Sequence, residues 1–303
     1  MPLASRNKSN FLWPSLVALV AVGGLATLAT QFYRRPEQMV TDLARLGLLL
    51  RSVREETCNV NGLPIHYYCA GRRGTPLILV HGLGASAENW APLLPYLSKE
   101  YLVYALDLPG FGKTPVASEG FNIATYAFYL KRFIDCLGYP QVTLVGNSLG
   151  GWISARLAID YPERVRHLYL LNSAGLHREN GHSPYVADRA TAQRSIEYIQ
   201  GQVLRVPIPN FILDSVVRVS QRPAYRGFVE TYDKREELDH ALTHIQAPTT
   251  IIWGERDGLF PLSCAYDFHK GIPNSQLILL AGVGHAPQTQ APAEVAEIIL
   301  SQQ

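Results

Sequence analysis

From residue 56 onward the chain alternates short, unbroken apolar runs with segments of helical length, and few folds accept that rhythm. The runs fall at 77–80, 102–106, 142–145, 168–171, 250–253 and 277–280. Strands that read as continuous apolar stretches are buried on both faces, the condition of a mostly parallel sheet covered by helices. Between and after them, 123–137, 149–160, 263–270 and 292–301 have the length and composition of helices. Residues 56–60 and 64–69 flank Asn61-Gly62, a dipeptide suited to a two-residue turn. The sheet is therefore expected to begin with an antiparallel hairpin that sets Ile65 opposite Cys58.

One interval breaks the pattern. From Ser173 to Ile245 no buried-strand signature occurs, and helices are predicted near 184–200, 210–220 and 224–232. An insertion at 176–244, on the side of the sheet where a substrate would lie, reads as a helical cap. Its apolar residues Val206, Ile208, Phe211, Ile212 and Leu213 suit either an acyl channel or packing of the cap onto the body.

The amino-terminal end differs in kind. No charged residue occurs from Ser9 to Tyr33, a stretch long enough as a helix to cross a hydrocarbon core of about 30 Å. Trp13, Phe32 and Tyr33 stand near its ends, where amphipathic rings prefer the interface. Residues 1–35 are accordingly read as an N-terminal transmembrane helix serving as a single-pass anchor. Arg6 and Lys8 before it and Arg34 and Arg35 after it leave the orientation open. A cleaved signal peptide, giving a secreted or periplasmic protein, is the alternative, although no A-x-A site closes the run. In residues 36–55, Met39, Leu43, Leu46 and Leu50 recur at helical spacing among Arg45, Arg51 and Arg54. That pattern makes an amphipathic linker helix, lying on lipid or against the globular body. Residues 56–303 then form one catalytic-size domain carrying the cap.

Composition excludes other classes. With 27 Lys and Arg against 25 Asp and Glu, and no basic stripe interleaved with aromatics, nucleic acid is not an expected partner. Cys58, Cys69, Cys136 and Cys264 show no C-x-x-C spacing and no accompanying histidine cluster. Neither a metal site nor a disulfide framework is signalled, and free thiols are expected. No cofactor is implied.

Chemistry enters at Gly146-Asn147-Ser148-Leu149-Gly150, which joins the run at 142–145 to a predicted helix. A serine hydroxyl is a weak nucleophile, so it must sit on a sharp, exposed turn with a base on one side and a carbonyl on the other. Gly146 and Gly150 are the elbow glycines that let the chain reverse there without a side-chain collision. A base and an orienting acid belong on loops at the carboxyl ends of later strands. Asp257, in Trp253-Gly254-Glu255-Arg256-Asp257, and His285, after Gly284, meet that requirement in the chain order serine, acid, histidine. Glu255 is the rival acid. The oxyanion formed by attack needs two donors, each worth roughly 3–4 kcal/mol. The amide of Leu149 supplies one, and the amide of Leu83, in His81-Gly82-Leu83-Gly84, the other. His81 precedes the turn and is expected to brace that loop by hydrogen bonding.

His81-Gly82, Asp107-Leu108-Pro109-Gly110-Phe111-Gly112, Gly146-Asn147-Ser148-Leu149-Gly150-Gly151, Trp253-Gly254-Glu255-Arg256-Asp257 and Gly284-His285 together resemble the α/β-hydrolase fold family from about residue 57 to the end. The resemblance implies an α/β-hydrolase sheet, a triad of Ser148, Asp257 and His285, oxyanion donors at Leu83 and Leu149, and no metal or organic cofactor. The charge-free first segment, Ser173 to Leu176 and a short cap resemble the membrane-anchored monoacylglycerol-lipase-like branch. The Asn-Ser-Leu-Gly-Gly stretch is also similar to hydrolases that cleave carbon–carbon bonds in ring-fission products. Branches that attack with an elbow aspartate are excluded by Ser148.

Three functions follow. The first is a membrane-associated carboxylic-ester hydrolase acting on lipid-like, monoacylglycerol-type esters. The second is a carbon–carbon bond hydrolase whose cap cations, Arg178, Arg189 or Arg194, hold substrate carboxylates. The third is a small-ligand binder on the same fold without turnover.

Overall fold

The computed structural model describes Thr30 and residues 33–51, 53–178 and 184–302. The anchor expected over 1–35 lies almost wholly outside the described residues, and among those described no helix is long and apolar enough to cross a membrane.

Eight strands form one sheet: β1 (Arg54–Val60), β2 (Leu63–Ala70), β3 (Thr75–Val80), β4 (Tyr101–Leu106), β5 (Val142–Asn147), β6 (Val165–Leu171), β7 (Thr249–Gly254) and β8 (Ser275–Leu280). Their order is β1-β2-β4-β3-β5-β6-β7-β8. The β1–β2 hairpin is antiparallel and pairs Cys58 with Ile65, as the Asn61-Gly62 turn predicts. Strand β2 also runs antiparallel to β4, whereas every pairing from β4 through β8 is parallel. Strands β5 and β7 are buried along their whole length, because helices cover both faces.

Among the described residues the longer helices are α1 (Pro36–Leu49), α2 (Ile123–Cys136), α3 (Leu149–Asp160), α4 (Arg189–Gln200), α5 (Asn210–Ser220), α6 (Pro223–Glu230), α7 (Leu262–Gly271) and α8 (Pro292–Leu300), with shorter turns between. Helices α4, α5 and α6 make the cap. Val186, Ala192 and Leu213 form a small cap core, against which Ile208 packs. Ile208 and Leu213 therefore take part in cap packing, and Val206 is 76% exposed.

The linker helix is shorter than the expected 36–55. It ends at Leu49, and Arg54 and Glu55 already pair with Cys69 and Tyr68 on β2. Backbone pairing to the hairpin outweighs continuation of a helix that has reached the edge of the body. Leu48 is buried in the core, Arg45 pairs with Glu55 at 2.7 Å, and Glu37 pairs with Arg218 of the cap at 3.1 Å. Val40, Leu43, Leu46, Leu49 and Leu50 face outward.

The expectation of four free thiols is corrected. Cys58 on β1 and Cys136 at the end of α2 form a disulfide with Cα atoms 6.5 Å apart, while Cys69 and Cys264 are free and buried. The paired cysteines stand 78 residues apart in the chain. No local spacing announces such a pair; only the packing of α2 on β1 creates it.

Candidate active site

Ser148 sits between β5 and α3 with φ +55° and ψ −120°, a left-handed conformation rare for a residue with a side chain. It is held there from both sides. Its amide donates to Leu171 O at 3.1 Å, and its carbonyl accepts from Gly151, Trp152 and Ala174. A Cβ at Gly146 would collide with the backbone of Gly150, and one at Gly150 with Val80 and His81. The turn is so tight that both elbow glycines are obligatory. Ser148 itself is part-exposed.

Asp257 and His285 meet. Nδ1 of His285 lies 2.8 Å from Oδ2 of Asp257, and the Asp257 side chain is 1% exposed. This acceptor sets the tautomer, placing the proton on Nδ1 and leaving Nε2 as the basic nitrogen. Oδ2 also accepts from Asn172 Nδ2 at 2.7 Å, and Oδ1 accepts from the amides of Leu259 and Phe260 at 2.8 and 3.1 Å. Four donors thus fix the carboxylate in place. Glu255, the rival acid, is exposed and does not reach the imidazole. Nε2 of His285 and Oγ of Ser148 have no hydrogen-bond partner among the described residues. Ser148 and His285 are not hydrogen-bonded to each other in this arrangement, and contacts of this kind commonly tighten only when substrate binds. The elbow and the histidine loop are nevertheless tied together: Asn147 Nδ2 donates to His285 O and to Leu171 O, both at 3.0 Å.

The expected oxyanion turn lies against the elbow. A Cβ at Gly82 would stand 3.1 Å from Ser148 Cβ. Among the described residues neither the Leu83 nor the Leu149 amide has an acceptor, so both are available donors. His81 braces the turn as expected: its Nδ1 bonds Gly82 O at 2.8 Å, and its Nε2 accepts from the Leu108 amide at 3.1 Å. That second bond fixes the tautomer with hydrogen on Nδ1, and burial pushes the His81 pKa down, favouring the neutral ring. Asp107 organises the neighbouring loop. Its carboxylate accepts from Ala87 and Lys113 amides and faces His66 Nδ1 at 2.7 Å. Burial pushes its carboxyl up, and the His66 bond with the Lys113 and Ala87 amides outweighs that, so its pKa is lowered.

The cap closes over these groups. The ring of Tyr225 abuts Gly84, and Ala224 abuts Gly110. Arg178, a cap-entrance cation, donates to Leu259 O at 2.6 Å and lies 4.3 Å over the Phe260 ring, which packs 5.2 Å from the His285 ring. Arg189 is taken up by Asp214 at 2.6 Å, and Arg194 is exposed. Sequence reasoning did not single out Asn172 or Phe260. Asn172, directly after a buried strand and with φ +42°, carried a weak signal, since asparagine tolerates that conformation. Phe260 carried none. Among the described residues no cluster of histidine, cysteine and acidic side chains suits a metal ion.

Residues 75–215 match the family described as alpha/beta hydrolase fold. Monoacylglycerol lipase ABHD6 of Bos taurus is 26% identical, over 99% of this chain and 90% of the relative. A 2-hydroxy-6-oxononadienedioate/2-hydroxy-6-oxononatrienedioate hydrolase of Paraburkholderia phymatum is 27% identical, over 78% of this chain and 90% of the relative. Among solved structures, a membrane phospholipase A described as a bacterial virulence factor superposes with a TM-score of 0.77 at 26% identity, covering 95% of this chain and 97% of that one. The mixed sheet order, the strand–serine–helix elbow and these likenesses agree: the chain belongs to the α/β-hydrolase family.

Proposed function

We propose that this protein is a serine ester hydrolase working on lipid-like esters at a membrane. The observation that carries the reading is the 2.8 Å bond between Asp257 and His285 beside a left-handed serine elbow and two unengaged amides. Ser148 Oγ attacks the ester carbonyl while His285 Nε2 takes its proton. The oxyanion is received by the amides of Leu83 and Leu149, the second at the amino end of α3, where the helix dipole also favours negative charge. His285 returns the proton to the departing alcohol, and a water activated by the same imidazole releases the acid from the acyl-enzyme.

Lipid-like substrates are favoured by the charge-free segment from Ser9 to Tyr33, which reads as an anchor within 1–35, and by the outward apolar residues of α1. The names of two relatives, a monoacylglycerol lipase and a membrane phospholipase A, point the same way. The Cys58–Cys136 disulfide argues that the domain over 56–303 faces an oxidising compartment, with the anchor's N-terminal side on the reducing face. Carbon–carbon cleavage of a dicarboxylate is the second reading, supported by the name of the Paraburkholderia relative. Of its candidate cations, Arg189 is paired with Asp214, and Arg178 bonds Leu259 O and lies over the Phe260 ring, so Arg194, which is exposed, is the one left for a substrate carboxylate.

The test compares wild type with Ser148→Ala on short p-nitrophenyl esters and on monoacylglycerols, together with fluorophosphonate labelling. The variant should lose at least about a thousandfold in kcat/KM and all labelling. Equal turnover by both proteins removes Ser148 from the mechanism, and a wild type that neither labels nor hydrolyses leaves the ligand-binder reading.

A further inference from the structure

A helix ends with four carbonyls that have no amide partner inside it, and they must be satisfied from elsewhere. At the end of α4 in the cap, two of them are satisfied by the two loops that carry Asp257 and His285. Tyr198 O accepts from the Gly258 amide at 3.0 Å, and Ile199 O accepts from the His285 amide itself at 2.8 Å. Gln290, one turn past His285, closes the arrangement. Its Nε2 donates to Ile199 O and to Gln200 Oε1, both at 3.3 Å, and its Oε1 accepts from the Gly284 amide at 2.6 Å.

Glycines allow this approach. A Cβ at Gly258 would lie 2.8 Å from Tyr198 Cα, and one at Gly284 would strike Ile199 O and lie 2.8 Å from the Gln200 carbonyl carbon. Gly201, which ends α4 with φ +70°, lies against the backbone of Arg256. The two loop amides thus meet helix-end carbonyls backbone to backbone, and the Gln290 side chain bridges the same carbonyls to Gly284.

We propose that the C-terminal turn of α4 is a positioning element of the Asp257–His285 pair, so that this part of the cap completes the active site instead of merely covering it. The inference rests on the serine-hydrolase reading. Each loop bears one of the paired groups, and both are bonded to adjacent carbonyls of one rigid helix end. The seam therefore fixes the relative placement of acid and base independently of the bond between them. Any cap opening that admits substrate occurs away from α4's last turn, because lifting that turn would unseat His285. Gly258, Gly284 and Gln290 act through Asp257 and His285 and touch no substrate.

Two measurements test this. In native full-length protein, hydrogen–deuterium exchange followed by mass spectrometry should find the amides of Gly258 and His285 protected well beyond those of the exposed cap loop at 202–207. In turnover of a short soluble ester, Gly284→Ala and the milder Gln290→Ala should lower kcat by about tenfold or more with KM changed less than about twofold, the signature of misplaced chemistry rather than lost binding. Gly47→Ala on α1, whose added Cβ meets nothing within 4 Å, should match wild type. Fast exchange at both amides in the native protein overturns the proposal, even if Gly284→Ala fails to fold. So does Gln290→Ala with wild-type kcat. A wild type that never labels with fluorophosphonate defeats the underlying hydrolase reading, while protected amides would still record the seam.

Discussion

Asn172 shows how one residue serves a site from outside it. Its backbone takes φ +42°, its Oδ1 accepts from the Gly254 amide at 3.0 Å, and its Nδ2 donates to Asp257 at 2.7 Å. One amide side chain therefore ties the end of β6 to the start of the acid loop and supplies one of four donors to the carboxylate. Asn172→Ala is expected to lower kcat about tenfold with KM little changed, since it loosens the acid without removing it. Asn172→Asp should do more damage, because a second carboxylate would stand within hydrogen-bond distance of Asp257. Steady-state kinetics of the two variants check the order; an aspartate variant as active as the alanine variant would show that this bond does not position the acid.

At the scale of elements, Glu55 is the joint between linker helix, hairpin and loop. It pairs with Arg45 of α1, with Lys113, and with His66 Nε2 at 3.0 Å. Burial pushes its carboxyl up, but hydrogen bonds from Lys113 and Arg45 outweigh that and hold it down to about 2, against an ordinary 4.5. A lowered folded-state pKa stabilises the protein fully above the ordinary value and ceases to do so as pH falls towards 2. Thermal unfolding of wild type and Glu55→Gln between pH 6 and pH 2.5 should show wild type melting several degrees higher at pH 6, with the gap narrowing below pH 4.5. A gap independent of pH would mean that the glutamate's charge contributes nothing.

For the whole molecule, the disulfide joins the sheet's edge hairpin to α2 across 78 residues of chain. Closing a loop of that length restricts the unfolded chain, and its loss should cost roughly 2–5 kcal/mol. Cys58→Ser and Cys136→Ser are each expected to lower the unfolding midpoint by a similar amount, and the double variant by no more than either alone. Alkylation of unfolded protein from membranes, without reductant, should modify two cysteines and leave two blocked. Modification of all four would contradict both the pairing and the proposed oxidising compartment.

Much was legible from local pattern. The apolar runs mark the buried strands, Asn61-Gly62 marks the hairpin and its register, and helices were placed at 149–160 and 210–220 where they occur. These are properties of neighbouring residues, whose periodicity and turn chemistry act over a few positions. The candidate triad was visible because its loops carry glycines at tight approaches that a sequence displays. Asn172, the Cys58–Cys136 pair, the Glu55 junction and the α4 seam were not, because each depends on segments far apart in the chain meeting at hydrogen-bond distance. The order of strands and helices is thus written in the sequence by itself, whereas which loop leans on which carbonyl was decided only when the cap packed onto the sheet, since that contact is made backbone to backbone and leaves almost no side-chain trace.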